Sequence, residues 1–409
     1  MLEKIKIFFR KPFWTDYRTL VGLWLLLGII AALTKMGASN NFKIFRGVFW
    51  HVWNGTPLFT EYPQEYFDVN HYGPFFSLVI APFAVTPFPI GLIMWEIALA
   101  LSLYVAIRKL PLLKWQHAFI FWFCAHELLT ALFMNQFNIV IAAIIVASYY
   151  CIEKEKDWLA TLLIVIGTLV KLYGIVGLAF FFFSRHKTKF IVSFVIWSVV
   201  LFCLPMLISS PEYIIGQYQA WYECLGEKNA DNMFSMGTNI SILGLVRKIS
   251  RVTTYSDLCI IIPGLIAFAL PYLRFKQYKN RDFRYSYLAS VLMFVVLFST
   301  GSESSGYITP FVGICLWYLM VPWKRTGWDI ALMVFAFILS SMSPSDLFPA
   351  YIRKNFVQPY ALKALPIVLI WFKLVYEQLT HDYTESEITD SPIDINRPMS
   401  LQATEMSKA

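Results

Sequence analysis

The feature that most constrains this chain is its series of long apolar runs. Several exceed 18 residues and carry few charges, and only 15% of all residues are charged. A helix that crosses the hydrocarbon of a bilayer needs about 20 apolar residues. Hydrocarbon offers no water to the backbone, so such runs must pair their peptide groups internally, and continuous runs favour helices over alternating strands. The sequence therefore predicts an all-α polytopic membrane protein.

The apolar runs predict about 10–13 transmembrane segments in one domain, residues 1–379. The run 73–107 is too long for one straight crossing and contains Pro74, Pro82, Pro87 and Pro89, so we expect it to be broken, with one half short or re-entrant. The predicted segments are 17–36, 73–107, 115–134, 135–152, 158–170, 172–184, 190–208, 257–273, 285–300, 306–321, 328–342 and 362–379.

The positive charges indicate an orientation. The net charge of +8 comes from short Lys and Arg clusters between the apolar runs, which is typical of cytoplasmic loops and not of a nucleic-acid partner. If 73–107 crosses once, all the clusters reach the cytoplasm, and outer segments form at 37–72 and 209–256. The polar stretch 380–409 predicts a disordered cytoplasmic tail. The basic clusters are 4–11, 108–114, 185–189, 274–284 and 324–325.

Ionisable residues within apolar runs are candidates for function. Lys171 stands between "TLLIVIGTLV" and "LYGIVGLAFFFF", where it would bind a phosphate or extend its ammonium to the interface. Glu303, in "STGSESSGY", would be a general base if desolvated, or an ordinary loop carboxylate in water. Glu96 and Glu127 are interpreted as partners in hydrogen bonds between helices.

The outer segment 37–72 combines aromatic and polar residues. "FKIFRGVFWHVW" predicts an interfacial helix, and "NGTP" predicts a turn after it. The loop that follows holds Glu65, Asp68, His71 and Tyr72. Aromatic rings stack on sugars and carboxylates bind hydroxyls, so this loop suits carbohydrate at a membrane surface; the alternative is a plain interfacial anchor.

Several chemistries have no motif in this chain. The six cysteines show no paired spacing, so we expect buried thiols without a disulfide framework or zinc site. No GxxxxGK[ST], HExxH, GxSxG or DxD is present. Nucleotide hydrolysis and a DxD-type metal-dependent transferase are disfavoured, and we expect no metal and no cofactor. One basic cluster, Arg247, Lys248 and Arg251, falls in an outer segment, where it would hold a phosphate or be an exception to the charge rule.

Five short motifs in order resemble glycosyltransferase family 87, whose members are membrane enzymes of the C type (GT-C) that use polyprenyl-phosphate-linked sugars. The resemblance is closest to members from Bacteroidetes-type bacteria. The motifs are "NNFKIFRGVFWHVWNGTPLF", "YGPFFSLVIAPFAVTPF", "NQFN" for the family's G-Q-x-N, "KLYG" for K-P-Y-P, and "GTNISILGLVRK" for N-x-S-x-x-G-x-x-R.

The resemblance implies a role for particular residues. Lys171 and Arg247 would bind the donor phosphate. The family's first outer loop carries an Asp as catalytic base where this chain has Asn41, and its late loop carries a His where this chain has Glu303 and Tyr307. The base would therefore be Asp68, Glu303 or Glu65. The expected substrate-binding residues are Asn41, His71, Tyr72, Gln136, Asn138, Asn239 and Tyr307.

The expected function is an inverting transfer of a hexose or pentose from polyprenyl phosphate to a glycan or glycolipid, at the periplasmic face of a bacterial inner membrane. Its partners would be these substrates and membrane lipids, with no nucleic acid. A transporter or lipid flippase would show repeated halves, which are not found. An O-antigen polymerase or ligase would carry arginine in its large outer loop, yet residues 209–237 contain none. A non-catalytic scaffold is the remaining alternative.

Overall fold

The computed structural model describes residues 11–384 except 234, 236 and 253. Most of the predicted tail, from residue 385, and residues 4–10 of the first basic cluster lie outside the described residues. The α-helices are α1 Tyr17–Lys35, α2 Asn40–Asn54, α3 Phe76–Ala84, α4 Phe88–Lys109, α5 Lys114–Phe123, α6 Ala125–Leu132, α7 Asn138–Glu153, α8 Asp157–Val170, α9 Lys187–Cys203, α10 Pro211–Asp231, α11 Ile242–Ser250, α12 Leu258–Ala269, α13 Arg281–Leu297, α14 Ile308–Leu319, α15 Gly327–Phe335, α16 Ala350–Ile352 and α17 Leu365–Thr380.

The predicted all-α polytopic fold class is confirmed, and the part of the chain that the structure describes contains no strand. Short tighter or wider helical pieces extend several helices, among them the 3₁₀ helix Leu172–Phe183 and the π-helix Ala336–Met342. Within the described residues, three helices are long and apolar enough to cross a membrane, or four if the pair Ala350–Val357 and Leu362–Thr380, bent by 93°, is one span. Other apolar helices are shorter, at 10–17 residues, so the total of 10–13 crossings stays a prediction.

The run 73–107 is broken, as predicted. It contains the short helix α3 and the long helix α4, and Pro87 precedes α4 in an extended conformation. The amide of Gly73 donates to the carbonyl of Val170, whereas Arg108 lies 3.4 Å from the ring centroid of Tyr17 at the start of α1. Helices α1 and α4 pack antiparallel, so the two ends of this run lie at opposite ends of the bundle.

Charged residues pair with one another at one end of the bundle, which we call the basic end. There Arg284 pairs with Glu153 at 2.9 Å, and Arg325 pairs with Glu377 at 2.9 Å. The basic end brings together the predicted basic clusters near residues 108–114, 185–189, 274–284 and 324–325. The opposite end, which we call the site end, gathers the predicted outer segments.

Helix α2 packs into the protein more deeply than an interfacial anchor would. Its Phe42, Phe45 and Val48 are buried, while Trp53 is exposed. Arg46 donates to the carbonyls of Phe83 and Thr86 at the end of α3, so it satisfies acceptors that the helix leaves unpaired. The helix ends at Gly55, whose φ of 67° forms the predicted turn. Helix α2 thus fixes the loop that follows it.

The expectation of buried cysteines is wrong in part. Cys124, Cys151 and Cys315 are buried, but Cys203 and Cys259 are exposed. Both exposed thiols belong to helices α9 and α12, whose apolar side chains largely face outward from the chain. An apolar helix at the periphery of a membrane protein exposes its side chains to lipid, so an apolar run does not by itself indicate burial in protein.

Candidate functional site

Lys171 interrupts a helix at the site end. Helix α8 ends at Val170, and Lys171 is extended, with φ −149° and ψ 119°, before the 3₁₀ helix Leu172–Phe183 begins. The backbone of Gly174 lies against that of Gly167, since a Cβ on Gly174 would approach Gly167 C to 2.3 Å. This close approach holds the break in place and turns the Lys171 side chain away from its own helix.

A chain of hydrogen bonds connects Lys171 with Glu303. The Lys171 ammonium donates to Asn138 Oδ1 at 2.7 Å, and the Asn138 amide donates to Gln136 Oε1 at 2.8 Å. Gln136 Nε2 then donates to Glu303 Oε2 at 2.7 Å. Ser305 bonds both amides. Four residues that the sequence predicted as site residues therefore form one connected network.

The turn that carries Gln136 explains an unusual residue in its motif. Asn135 has a φ of 54°, a left-handed conformation that suits glycine and is tolerated by asparagine. Its amide donates to Glu96 at 2.5 Å, and its carbonyl accepts from the Trp95 indole at 2.8 Å. Glu96 therefore bonds the turn before α7 and not a second helix as predicted, and Asn135 replaces glycine without loss of the turn.

Lys171 and Glu303 line one cavity of about 210 Å³. Helix α10, from the outer segment 209–256, provides one wall, and this wall adds a second lysine, Lys228. Lys228 has no carboxylate partner among the described residues, and the sequence offered no motif that would have singled it out. The remaining lining residues are His71, Leu172, Tyr173, Trp221, Leu225, Asn229, Asn232, Ser299, Thr300 and Gly301.

A larger and mainly apolar cavity of about 650 Å³ adjoins the first. Both are lined by Tyr173, Asn229 and Ser299. The Tyr173 hydroxyl hydrogen-bonds to Ser299 Oγ at 2.7 Å between them. The deeper walls of the larger cavity include Ile175, Val176, Leu243, Ile261, Phe294 and Phe298. A cavity lined by two lysines and a glutamate thus adjoins a larger one with many apolar side chains.

A comparison with protein families shows which family has this sequence pattern. Residues 70–300, more than half of the chain, match the model of glycosyltransferase family 87. The chain belongs to glycosyltransferase family 87. No curated protein matches it at a significant level. The match confirms the family resemblance and supports a membrane glycosyltransferase. It favours this function over the alternatives of a flippase, a polymerase or ligase, and a scaffold.

In this family 87 glycosyltransferase, the motif near Asn239 organises the outer loop. Asn239 adopts φ 51°, and its side chain accepts from the Ser241 hydroxyl at 2.7 Å. Ser241 caps α11 by accepting from the amide of Gly244. A Cβ on Gly244 would lie 1.7 Å from the Asn239 carbonyl oxygen, so only glycine fits there. Asn239 is buried, and it holds the loop without lining either cavity.

Arg247, which we predicted to bind the donor phosphate, has a carboxylate partner in the structure. Its Nη2 donates to Asp257 at 2.5 Å and to the carbonyl of Tyr255, and its guanidinium stacks on the Tyr255 ring. Arg247 is buried at the wall of the larger cavity, whereas Lys171 lines the smaller one. Asp257 therefore pairs with the positive charge that we predicted to bind the donor phosphate. Asp257 lies ten positions away, and no pattern in the sequence announced this pairing.

The three predicted bases occupy different surroundings. Glu303 lines the smaller cavity. Asp68 is exposed and does not line this cavity, but its carboxylate lies 4.0 Å from Nε2 of His71, which does. Glu65 is exposed beside His51, 3.4 Å from the imidazole, and does not line the cavity. The structure therefore separates Glu65 from the other two.

His71 faces the cavity as a neutral imidazole. Burial is the main cause that lowers its pKa to about 4; the charge of Lys228 lowers the pKa further, Asp68 raises it in part, and Lys171 lowers it least. Its Nδ1 lies 3.4 Å from Cys224 Sγ. Neutral His71 is able to accept or donate a hydrogen bond to a substrate hydroxyl.

Three other predicted substrate-binding residues have structural contacts instead of lining the cavity. The Asn41 amide donates to the carbonyl of Met134, which joins α2 to the turn of Gln136. The Tyr72 hydroxyl accepts from the amide of Phe137. The buried Tyr307 hydroxyl donates to the carbonyl of Ile240. Within the described residues, these side chains position the network and do not border the space where a substrate would bind.

The sequence did not reveal the lysine that bonds Ser304, the residue next to Glu303. Lys363 is 3% exposed, and its ammonium contacts Glu127 Oε1 at 3.1 Å, Ser304 Oγ at 2.9 Å and the Ser304 carbonyl at 3.2 Å. Glu127 therefore does bond another helical segment, as predicted. Lys363 lies in an apolar stretch near the end of the chain. Its sequence context is the same as that of an ordinary lysine at the membrane interface, so it was not singled out.

Proposed function

We propose that this glycosyltransferase takes its sugar from a polyprenyl-phosphate donor and transfers a hexose or a pentose to a glycan or glycolipid. The observation that carries the proposal is the pair of adjoining cavities. An isoprenoid chain is apolar and suits the apolar side chains of the larger cavity, while its phosphate is anionic and suits the ammonium groups of the smaller cavity. A nucleotide donor would leave the apolar cavity unused.

Lys171 and Lys228 would bind the donor phosphate in this scheme. Both lysines line the smaller cavity; one belongs to the helix break at Lys171 and the other to α10. Their charge stabilises the phosphate as it leaves, when negative charge builds on its oxygen. Arg247 would contribute indirectly, through its ion pair with Asp257 in the wall of the larger cavity.

Glu303 would act as the base. The acceptor hydroxyl oxygen forms a bond to the anomeric carbon of the sugar, while the bond from that carbon to the phosphate oxygen breaks. The hydroxyl proton passes to Glu303, and polyprenyl phosphate leaves with the electron pair. Attack opposite the leaving group inverts the anomeric configuration. Glu303 is favoured over Asp68 because Glu303 lines the cavity and Asp68 does not.

The orientation of the bundle supports action at the outer face of a bacterial inner membrane. The basic clusters collect at one end, as cytoplasmic loops do, and both cavities open among the outer segments at the other end. Lipid-linked sugars that have been flipped outward would meet the enzyme there. The acceptor would be a glycan or glycolipid that reaches the same face.

The experiment incubates the purified enzyme with radiolabelled polyprenyl-phosphate sugars and a mixed glycolipid fraction of the host membrane. We expect release of free polyprenyl phosphate together with labelled product. The matched incubation supplies the same sugar as a nucleotide sugar without lipid carrier. Transfer from the nucleotide sugar alone would refute the proposed donor, whereas the assignment to the family would stand.

A further inference from the structure

A second polar pocket lies at the basic end, away from the cavities described above. It has a volume of about 80 Å³ and lies between α7, α13 and the residues that follow α4. Its lining includes Tyr149, Glu153, Lys154, Arg281 and Tyr285. None of these residues lines either cavity of the site end.

Three buried groups of this pocket that are able to donate a hydrogen bond have no well-aligned acceptor among the described residues. They are the hydroxyls of Tyr149 and Tyr285 and the Nε of Arg281. Each tyrosine is only 1% exposed. Buried polar groups are nearly always hydrogen-bonded, so three orphan donors around one space indicate a missing acceptor.

The charges around the pocket favour an anion. Among the described lining residues Glu153 is the one carboxylate, and it pairs with Arg284 at 2.9 Å. Asp282, outside the lining, interacts with Arg281, so Arg281, Arg284 and Lys154 exceed the two carboxylates by one positive charge. The guanidinium of Arg281 is fixed because its Nη2 donates to the Pro111 carbonyl at 2.8 Å. A fixed guanidinium beside two hydroxyls is a geometry that binds oxyanions.

We propose that this pocket binds a phosphate group. A phosphate presents at least three acceptor oxygens, which matches the three orphan donors, whereas a carboxylate presents two. The volume suits one small group, since a water molecule takes up about 30 Å³ in the liquid. Basic pockets between membrane helices on the cytoplasmic side are known to bind phosphate-bearing headgroups of lipids. The phosphate would come from an anionic phospholipid or from free phosphate.

The test uses the purified, delipidated full-length protein in a maltoside detergent, which carries no phosphate. Short-chain phosphatidylglycerol, diacylglycerol and inorganic phosphate are titrated separately, and binding is followed by the rise in melting temperature. The variant Tyr149→Phe/Tyr285→Phe removes two orphan hydroxyls but keeps the rings, whose centroids lie 5.3 Å apart. The matched control is Tyr287→Phe, which removes another buried, unpartnered hydroxyl of α13 outside the pocket.

We expect phosphatidylglycerol to raise the melting temperature of the wild type and of Tyr287→Phe. The double variant should melt like the wild type without ligand, since its lost hydroxyls had no partner, and should bind at least about tenfold more weakly. Stabilisation by phosphatidylglycerol alone identifies a lipid headgroup, and stabilisation by inorganic phosphate as well identifies a phosphate site that needs no lipid. Equal binding to wild type and double variant, an equal effect of diacylglycerol, or no binding at all would overturn the proposal and leave a pocket that holds water.

Discussion

Lys363 and Glu127 form a buried ion pair, with 3.1 Å between Nζ and Oε1, directly behind the turn that carries Glu303. The same ammonium donates to the Ser304 hydroxyl. The pair thus connects the last quarter of the chain, beyond the residues that match the family model, to the catalytic base that we propose. Its position makes Lys363 a positioning residue whose effect is separable from stability.

Lys363→Met should lower the free energy of unfolding by about 3–5 kcal/mol, because it leaves the Glu127 carboxylate buried without a counter-charge. The double variant Lys363→Met/Glu127→Leu should recover most of that stability, as hydrophobic replacements of buried pairs often do. It should still turn over slowly, because Ser304 has lost its donor. Thermal melting and kcat measured on both variants check this; a double variant with normal kcat would show that the pair serves stability alone.

Gly244→Ala should destabilise the protein by about 3 kcal/mol, since its Cβ would lie 1.7 Å from the Asn239 carbonyl oxygen. The matched control is Gly226→Ala in α10, where a Cβ meets nothing within 4 Å. That change should stabilise slightly, by up to about 1 kcal/mol, because alanine favours a helix. Melting curves compare the two, and equal melting temperatures would contradict the close contact at Gly244.

Lys228→Gln and Arg247→Gln should affect different properties, the first donor binding and the second stability. Lys228→Gln should raise KM for the lipid-linked donor about tenfold or more with little change in melting temperature, because it removes a charged contact with the donor phosphate. Arg247→Gln should lower the melting temperature, because it leaves the Asp257 carboxylate without its partner. A steep rise in KM for Arg247→Gln at unchanged stability would instead show that Arg247 binds the donor phosphate directly.

The stability of the protein should fall in acid through His71. The pKa of His71 is lowered to about 4 in the fold, so between pH 6.5 and about 4 the unfolded chain binds a proton that the folded chain does not. Stability is therefore unaffected above pH 6.5 and falls below it, by about 3 kcal/mol at most. In His71→Gln, the melting temperature should change less with pH over this range than it does in the wild type. Parallel pH profiles would show that His71 does not contribute.

Local patterns in the sequence predicted the helices and much of the site. The prolines of 73–107 predicted its break, and the boundary between the runs 158–170 and 172–184 predicted the helix break at Lys171. The left-handed turn at Asn135 was not predicted, although asparagine tolerates that conformation. The motif residues Gln136 and Asn138 then meet Lys171 and Glu303 as expected.

Partners distant along the chain were not predictable in the same way. Lys363 and Glu127 are 236 positions apart, and a single charge in an apolar run indicates a partner without identifying it. Lys228 belongs to a helix with no distinctive pattern, and it reaches the cavity only because α10 folds across it. The motif around Arg247 fixes its position in α11, but it does not identify Asp257 as the neighbour that pairs with its charge.

The most direct test of the account is the single-turnover rate of Glu303→Gln with a saturating lipid-linked donor. Glutamine keeps the shape and the hydrogen bond with Gln136 but is unable to take a proton. We predict a loss of about 10²–10⁴-fold in rate with donor affinity unchanged, while Asp68→Asn stays within a few-fold of the wild type. Wild-type turnover by Glu303→Gln, or the large loss in Asp68→Asn instead, would contradict the assignment of Glu303 as the base.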